Sequence, residues 1–237
     1  MTRSHKIVQE FETGNGIIAH PLSAKSEELM LAPLDDPEFL ILCYRYGVFP
    51  WYDWNGSGVY FYPAKRYIIP VGGVKVPKSI KSTFNQKKLS VTLDTAFNTV
   101  IEHCKSIKRN DQIGSWISDP FIESYTRLHE MGYAHSVEVW DQDGNLVGGL
   151  YGVSVGKVFT GESMFSLQSG ASRFALINLD KILKRLGYTI IDCQLENSYL
   201  KTFGGSNIPK REFFNIMRRN IFEPSIVGNW GHLINYL

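Results

Sequence analysis

The sequence predicts an α/β (α+β) chain built on a mixed, largely antiparallel sheet flanked by helices, and three observations carry that prediction. From His135 the apolar spacing changes from a helical period to strict alternation through Trp140. Asp143-Gly144-Asn145 then separates two alternating runs, as a hairpin turn does. A long helical run, Ala171 to Leu186, leads after Gly187 into the β-branched start of Tyr188–Gln194. A meander, a helix and a further strand in that order make a sheet covered by helices.

The elements follow in chain order. The first ~30 residues are polar with scattered glycines and give no firm element. Asp36-Pro37-Glu38 supplies a cap, a proline at N1 and an acidic first turn for a helix through Phe39–Tyr44, which Gly47 stops. Phe49–Trp54 reads as an aromatic loop, because Pro50 blocks any continuation of the helix. Val59–Tyr62 is a short strand, and a domain boundary falls near Pro63, giving a small N-terminal domain (1–63) and a larger one (64–237). Asp94 is expected to cap a helix with Phe97, Val100, Ile101, Cys104 and Ile107 on its apolar stripe. Asp119-Pro120 opens another, ended by Gly132. The meander then runs through His135–Trp140, Leu146–Ser154 and Val158–Thr160.

Composition excludes several classes. With 237 residues, 43% hydrophobic and 20% charged, the chain is neither disordered nor collagen-like. No apolar run approaches the ~18–20 residues of a membrane span, and the first residues lack the apolar segment of a secretory signal. Three widely separated cysteines without a CxxC pair, and six histidines in no metal spacing, argue against a disulfide scaffold and a zinc site. No membrane association, a cytoplasmic location, a monomer, and neither metal nor cofactor are therefore expected. The net charge of +2 identifies no partner by itself. The basic residues do cluster, however: Lys65, Arg66, Lys75, Lys78, Lys81, Lys87 and Lys88 share one stretch without an acid, which is either a solvated face or a phosphate contact. No GxxxxGK[ST] or GxGxxG loop supports a nucleotide enzyme.

Two acids stand out. Asp192 and Gln194 alternate onto one strand face with Cys193 on the other, and an acceptor beside an amide can orient an amine nucleophile. The residues alone leave open a plainer reading, with Asp192 capping a turn, Gln194 on the surface and Cys193 in the core. Glu162, after Gly161, faces a cavity or is a solvated loop acid. Cys104, on its apolar stripe, is core rather than a nucleophile.

Phe49-Pro50-Trp51, Gly114-Ser115-Trp116-Ile117, the block from Tyr125 through His129-Glu130, Gly132 and His135 to Trp140, Leu146–Val153, Gly161–Ser166 and Asp192-Cys193-Gln194 occur in that order. Over about Leu40 to Phe214 the chain resembles the leucyl/phenylalanyl-tRNA–protein transferase family. It departs from the usual pattern at Ala32-Pro33-Leu34-Asp35 and Tyr62-Pro63-Ala64-Lys65-Arg66. Gln168-Ser169-Gly170-Ala171-Ser172 likewise lacks the glycine placement of an acetyl-CoA loop.

The resemblance implies that the larger domain has a GNAT-type acyltransferase fold. It implies transfer of Leu or Phe, and also Met, from aminoacyl-tRNA to proteins with N-terminal Arg or Lys, marking them for degradation. Asp192 and Gln194 would handle the attacking amine, with Asp192 supplying basicity directly or through Gln194. Glu162 and Asn197 would hold the acceptor's cationic end. Leu150, Phe159, Met164, Leu176 and Ile191 match the family's apolar pocket. Trp51 and Trp116 would pack on the terminal adenosine, and Lys65, Arg66, Lys75, Lys78 and Lys81 would grip tRNA phosphates.

Overall fold

The computed structural model describes residues 21–22, 24–76, 88–107 and 117–237. A small sheet comes first, ordered β1–β3–β2 from β1 (Glu28–Pro33), β2 (Phe49–Trp54) and β3 (Ser57–Phe61). Helix α1 (Pro37–Arg45) connects β1 to β2; Asp36 accepts from the Phe39 N–H at 3.0 Å, and Gly47 follows with φ 77°. That cap and stop are the ones its sequence predicts. The strand β2 corrects the aromatic-loop reading. Pro50 has no N–H to donate, but β2 is an edge strand, and a register shift between Pro50 and Tyr52 accommodates it. Asn55 (φ 51°) and Gly56 (φ 82°) close the β2–β3 hairpin in the left-handed region that such a tight turn requires.

The larger sheet has seven strands, ordered β10–β4–β9–β8–β7–β6–β5. They are β4 (Lys65–Pro70), β5 (Ser90–Leu93), β6 (Ala134–Trp140), β7 (Leu146–Val155), β8 (Val158–Ser166), β9 (Ile190–Asp192) and β10 (Ser206–Pro209). All neighbours are antiparallel except β8 and β9, which helix α4 (Ala171–Arg185) joins. The remaining helices are α2 (Phe97–Ser106), α3 (Asp119–Glu130), the short α5 (Ser198–Lys201) and α6 (Lys210–Asn220), with a 3-10 turn at Gly231–Tyr236. The predicted meander and α4 are present; β1, β4, β5 and β10 had no sequence prediction.

Two further expectations change. Asp94 does not cap α2, whose first turn follows Ala96. Asp94 sits at φ 55°, and its carboxylate takes His135 Nδ1 at 2.9 Å and the N–H groups of Ser136 and Trp230. It thus pins β6 to the C-terminal segment. Strand β8 also runs past Thr160 to Ser166, so Glu162 lies on a strand rather than in a loop.

The core explains how the sheets meet. One cluster of buried residues runs from Tyr44 and Phe49 in the small sheet's layer to Tyr125, Tyr151 and Phe213 in the larger one. A second lies beneath α4, whose Leu176, Leu179, Ile182 and Leu183 are buried. Each such side chain contributes about 1.5–3 kcal/mol when removed from water. Among the described residues no helix is long and apolar enough to cross a membrane.

Candidate active site

Strands β8 and β9 pair only over Val158–Thr160 and Ile190–Asp192. Beyond that short parallel ladder they part, and a cavity of about 810 Å³ opens between them. Two cross-strand pairs build its apolar wall: Leu150 faces Met164 across β7 and β8, and Phe159 faces Ile191 across β8 and β9. Leu176 of α4 completes it. All five expected pocket residues therefore line one cavity. Four are nearly fully buried, while the flexible Met164 is half-buried and can repack around apolar groups of different shape.

Glu162 enters the same cavity through a bulge. Tyr151 pairs with Ser163 and Gly152 with Gly161, so Glu162 is the extra residue of β8. An extra residue re-aims its side chain. Gly152 is required beside it, because a Cβ there would lie 2.2 Å from the Thr160 carbonyl oxygen. The Glu162 carboxyl meets Tyr44 of α1 (2.9 Å to Oε1), Tyr125 of α3 (2.9 Å to Oε2) and the Gln194 amide nitrogen (2.9 Å to Oε1). The two tyrosine hydroxyls are themselves 2.6 Å apart. Burial pushes the Glu162 pKa up to about 7; the tyrosine hydrogen bonds and distant Arg66 oppose that rise, and Asp192 adds to it.

Asp192 is in a different situation. It is 1% exposed, and Arg66 of β4 grips it through two parallel bonds, Nε to Oδ1 at 2.7 Å and Nη2 to Oδ2 at 2.6 Å. Such fork-to-carboxylate geometry is the strongest pairing these groups make. The Arg66 guanidinium also lies over the rings of Phe49 of β2 and Phe213 of α6, each ring centroid 4.5 Å away. Two expectations are corrected here. Arg66, 1% exposed, is not on the surface where a tRNA phosphate could reach it. Nor does Asp192 line the cavity, which leaves of its two expected routes the one through Gln194 as the one compatible with this geometry.

Gln194 turns towards the cavity for a local reason. Alternation places Ile191 and Cys193 on the cavity side and Asp192 on the other. After Asp192 the strand ends and Gln194 takes φ 62°, which breaks the alternation. Its side chain reaches Glu162, while its backbone N–H donates to Asp192 Oδ1 at 3.0 Å. The expected shared face of Asp192 and Gln194 is thus replaced by a link through one backbone bond. Cys193 lines the cavity, but burial pushes its thiol pKa up, which disfavours a nucleophilic thiolate.

Asn197 lines the cavity mouth and caps α5, its Oδ1 accepting from Tyr199 and Leu200 N–H groups. Trp51, 37% exposed, also lines the cavity and packs edge-on against Phe61 at 4.7 Å. Lys65 and Lys75 are exposed. Trp116, Lys78 and Lys81 lie outside the described residues. Sequence reasoning missed Tyr44 and Arg66 as members of this site, since each meets its partner across more than a hundred residues. Tyr125 stood in a family motif but carried only a core reading from its helical stripe.

Residues 35–63 match the family model described as leucyl/phenylalanyl-tRNA protein transferase N-terminal domain, and residues 68–218 match the one described as leucyl/phenylalanyl-tRNA protein transferase. A leucyl/phenylalanyl-tRNA–protein transferase of Syntrophus aciditrophicus is 42% identical over 92% of this chain and 91% of its own length. That of Hydrogenovibrio crunogenus is 43% identical over 82% and 75%. Among solved structures, L-PGS from Bacillus licheniformis is similar at a TM-score of 0.39 and 14% identity, over 79% of this chain and 58% of that one, a likeness too distant to argue from.

Proposed function

The chain belongs to the leucyl/phenylalanyl-tRNA–protein transferase family, and on that premise we propose that it moves Leu, Phe or Met from aminoacyl-tRNA to the α-amine of proteins beginning with Arg or Lys. The new amino acid would mark such proteins for degradation. The observation that supports this reading is one cavity that sets an apolar wall beside a buried carboxyl with no directly bonded cation among the described residues. The wall suits the donor's side chain, and the carboxyl suits a cationic acceptor.

The chemistry asks little of the protein. The donor is an ester, so the acceptor nitrogen attacks its carbonyl carbon, the C–N bond forms and the C–O bond to the ribose breaks. One amine proton is lost and the departing ribose oxygen gains one. An α-amine has a pKa of ~7.7–8.0, so a useful fraction is neutral without a strong base. Holding both reactants in line is then the main contribution. Gln194 orients the amine; Asp192, locked on Arg66, fixes the Gln194 backbone and acts only through it. Glu162 receives the acceptor's guanidinium or ammonium. Because the Asn197 oxygen caps α5, its amide N–H₂ is left to donate to a carbonyl of either substrate. Pocket shape would exclude β-branched Ile and Val, with discrimination of only ~1–3 kcal/mol per methylene. Trp51 would stack on the terminal adenosine, and the exposed Lys65 and Lys75 would meet tRNA phosphates.

Transfer of labelled Leu from charged tRNA tests the reading. Peptides beginning with Arg or Lys should be labelled, and otherwise identical peptides beginning with Asp or Gly should not. Equal labelling of all four would remove the acceptor role of Glu162, and labelling of none would remove the reaction.

A further inference from the structure

The hydrogen bonds around Glu162 can be counted in protons. Three oxygen pairs are within hydrogen-bond distance: Tyr44 with Tyr125 at 2.6 Å, Tyr44 with Glu162 Oε1 at 2.9 Å, and Tyr125 with Glu162 Oε2 at 2.9 Å. Each pair needs one proton, and a neutral tyrosine owns only one. Burial and the nearby carboxyl hold both tyrosine pKa values well above the ordinary phenol, so neither is ionised. Were both hydroxyls to donate to a carboxylate, their oxygens would face each other at 2.6 Å with nothing between them. Two protons cannot serve three oxygen pairs.

We propose that Glu162 supplies the third proton: in the free protein it is a neutral carboxylic acid in a closed ring with Tyr44 and Tyr125, and it surrenders that proton to solvent when the acceptor's cationic end docks. In this ring Glu162 donates from Oε2 to Tyr125, Tyr125 donates to Tyr44, and Tyr44 donates back to Oε1. Gln194 Nε2 adds a second donor to Oε1, which has a lone pair to spare. Every donor is then used once.

The surroundings agree. Tyr44 comes from α1 and Tyr125 from α3, and Tyr151 of β7 packs edge-on against Tyr125 with ring centroids 5.4 Å apart. Asp192 of β9 repels a second negative charge, and Arg66 of β4, which would attract one, is already held by Asp192. Gln194 is neutral. A buried carboxyl without its own cation is therefore more stable with its proton. An arriving guanidinium or ammonium reverses that preference, because it supplies the missing charge. Deprotonation also leaves two donors for three oxygen pairs, so the Tyr44–Tyr125 bond opens, both hydroxyls donate to the carboxylate, and both of their oxygens become free to accept from the cation. Acceptor binding and proton release are then one event.

The inference rests on the reading that Glu162 receives the acceptor, and the test separates the two. Glu162→Gln mimics the neutral acid: its amide N–H₂ can donate to Tyr125 while its oxygen accepts from Tyr44, so the ring closes but has no proton to release. A tripeptide beginning with Arg is titrated calorimetrically into each protein near pH 6, in phosphate and in bis-tris, whose protonation heats differ. Wild type should release about one proton more than Glu162→Gln, which subtracts any proton shed by the peptide's own amine. Its affinity should exceed that of Glu162→Gln by about 10- to 100-fold. In the infrared, free wild type should show a carboxylic-acid band that Glu162→Gln lacks and that the peptide removes. Equal proton counts with weakened binding in Glu162→Gln, or no acid band, would overturn the neutral-acid ring while leaving the acceptor role standing. Unchanged affinity in Glu162→Gln would overturn the acceptor role and the release step with it.

Discussion

Two acidic side chains lie on adjacent strands, both nearly out of water, and they are held in opposite ways. Asp192 has a full guanidinium clamped on both oxygens. Among the described residues Glu162 has three hydrogen-bond partners and none of them is charged. The first arrangement is closed: the charge is matched, the geometry is bidentate, and no ligand can reach it without breaking the pair. The second is complete only in the resting state, and it lacks the ingredient that a cationic substrate carries. Burial alone therefore does not separate a structural acid from a functional one. What separates them is whether the counter-charge comes from the protein or from outside.

The sharpest way to break this comparison is to remove one partner of the closed pair. Asp192→Ala strands a buried guanidinium, and Arg66→Ala strands a buried carboxylate. Each should cost about 3–5 kcal/mol of stability in urea denaturation. Glu162→Gln, which keeps its hydrogen bonds, should stay within about 1 kcal/mol of wild type at pH ~4.5, where Glu162 carries its proton in the fold. If Asp192→Ala unfolds at the wild-type midpoint, the pair is not the anchor that its geometry implies.

The pH dependence comes next. The Glu162 pKa is about 7 in the fold against an ordinary 4.5, so between these values the folded state binds more protons than the unfolded one. Its contribution is fully present below pH ~4.5 and is lost as pH rises through about 7. The ceiling on that loss is on the order of 3 kcal/mol. Wild type should therefore lose stability relative to Glu162→Gln across that window, as midpoints at several pH values would reveal. Parallel curves for the two proteins would mean that Glu162 is ionised throughout.

The smallest effect contrasts buried Arg66 with the exposed cations beside it in sequence. Lys65→Ala with Lys75→Ala should change stability by no more than about 0.5 kcal/mol. It should lower the log–log salt slope of aminoacyl-tRNA binding by ~0.7–0.9 for each phosphate that is no longer neutralised. An unchanged slope would reduce this part of the basic stretch to a solvated face.

The sequence read well where the determining signal was local. Asp36 before Pro37, the glycines after α1, α3 and α4, and the alternation of β6 and β7 all act within a few residues, and the corresponding elements formed. It read poorly where the determining partner was distant. Arg66 looked like one more cation in an acid-free run, because its acid lies 126 positions later. Asp94 looked like a cap because nothing nearby revealed the His135 imidazole or the Trp230 N–H. Pro50 argued against a strand because sequence does not say which strand is an edge. The lining of the cavity came from the family resemblance. The bulge that seats Glu162 is a register shift between two strands, which neither strand's own pattern contains.

Tyr44 has a consequence for the history of the chain. It belongs to α1, 118 positions ahead of the acid it serves, on the far side of the join between the two sheets. A crossover at that join between two relatives would exchange the small sheet as a unit and could bring in a helix with another residue at this place. Such a chimera would keep the apolar wall from β7, β8, β9 and α4 and the Arg66–Asp192 pair, yet its Glu162 ring would be one oxygen short. The two parts thus constrain each other, and the small sheet with its helix shapes the cavity as much as the strands that enclose it.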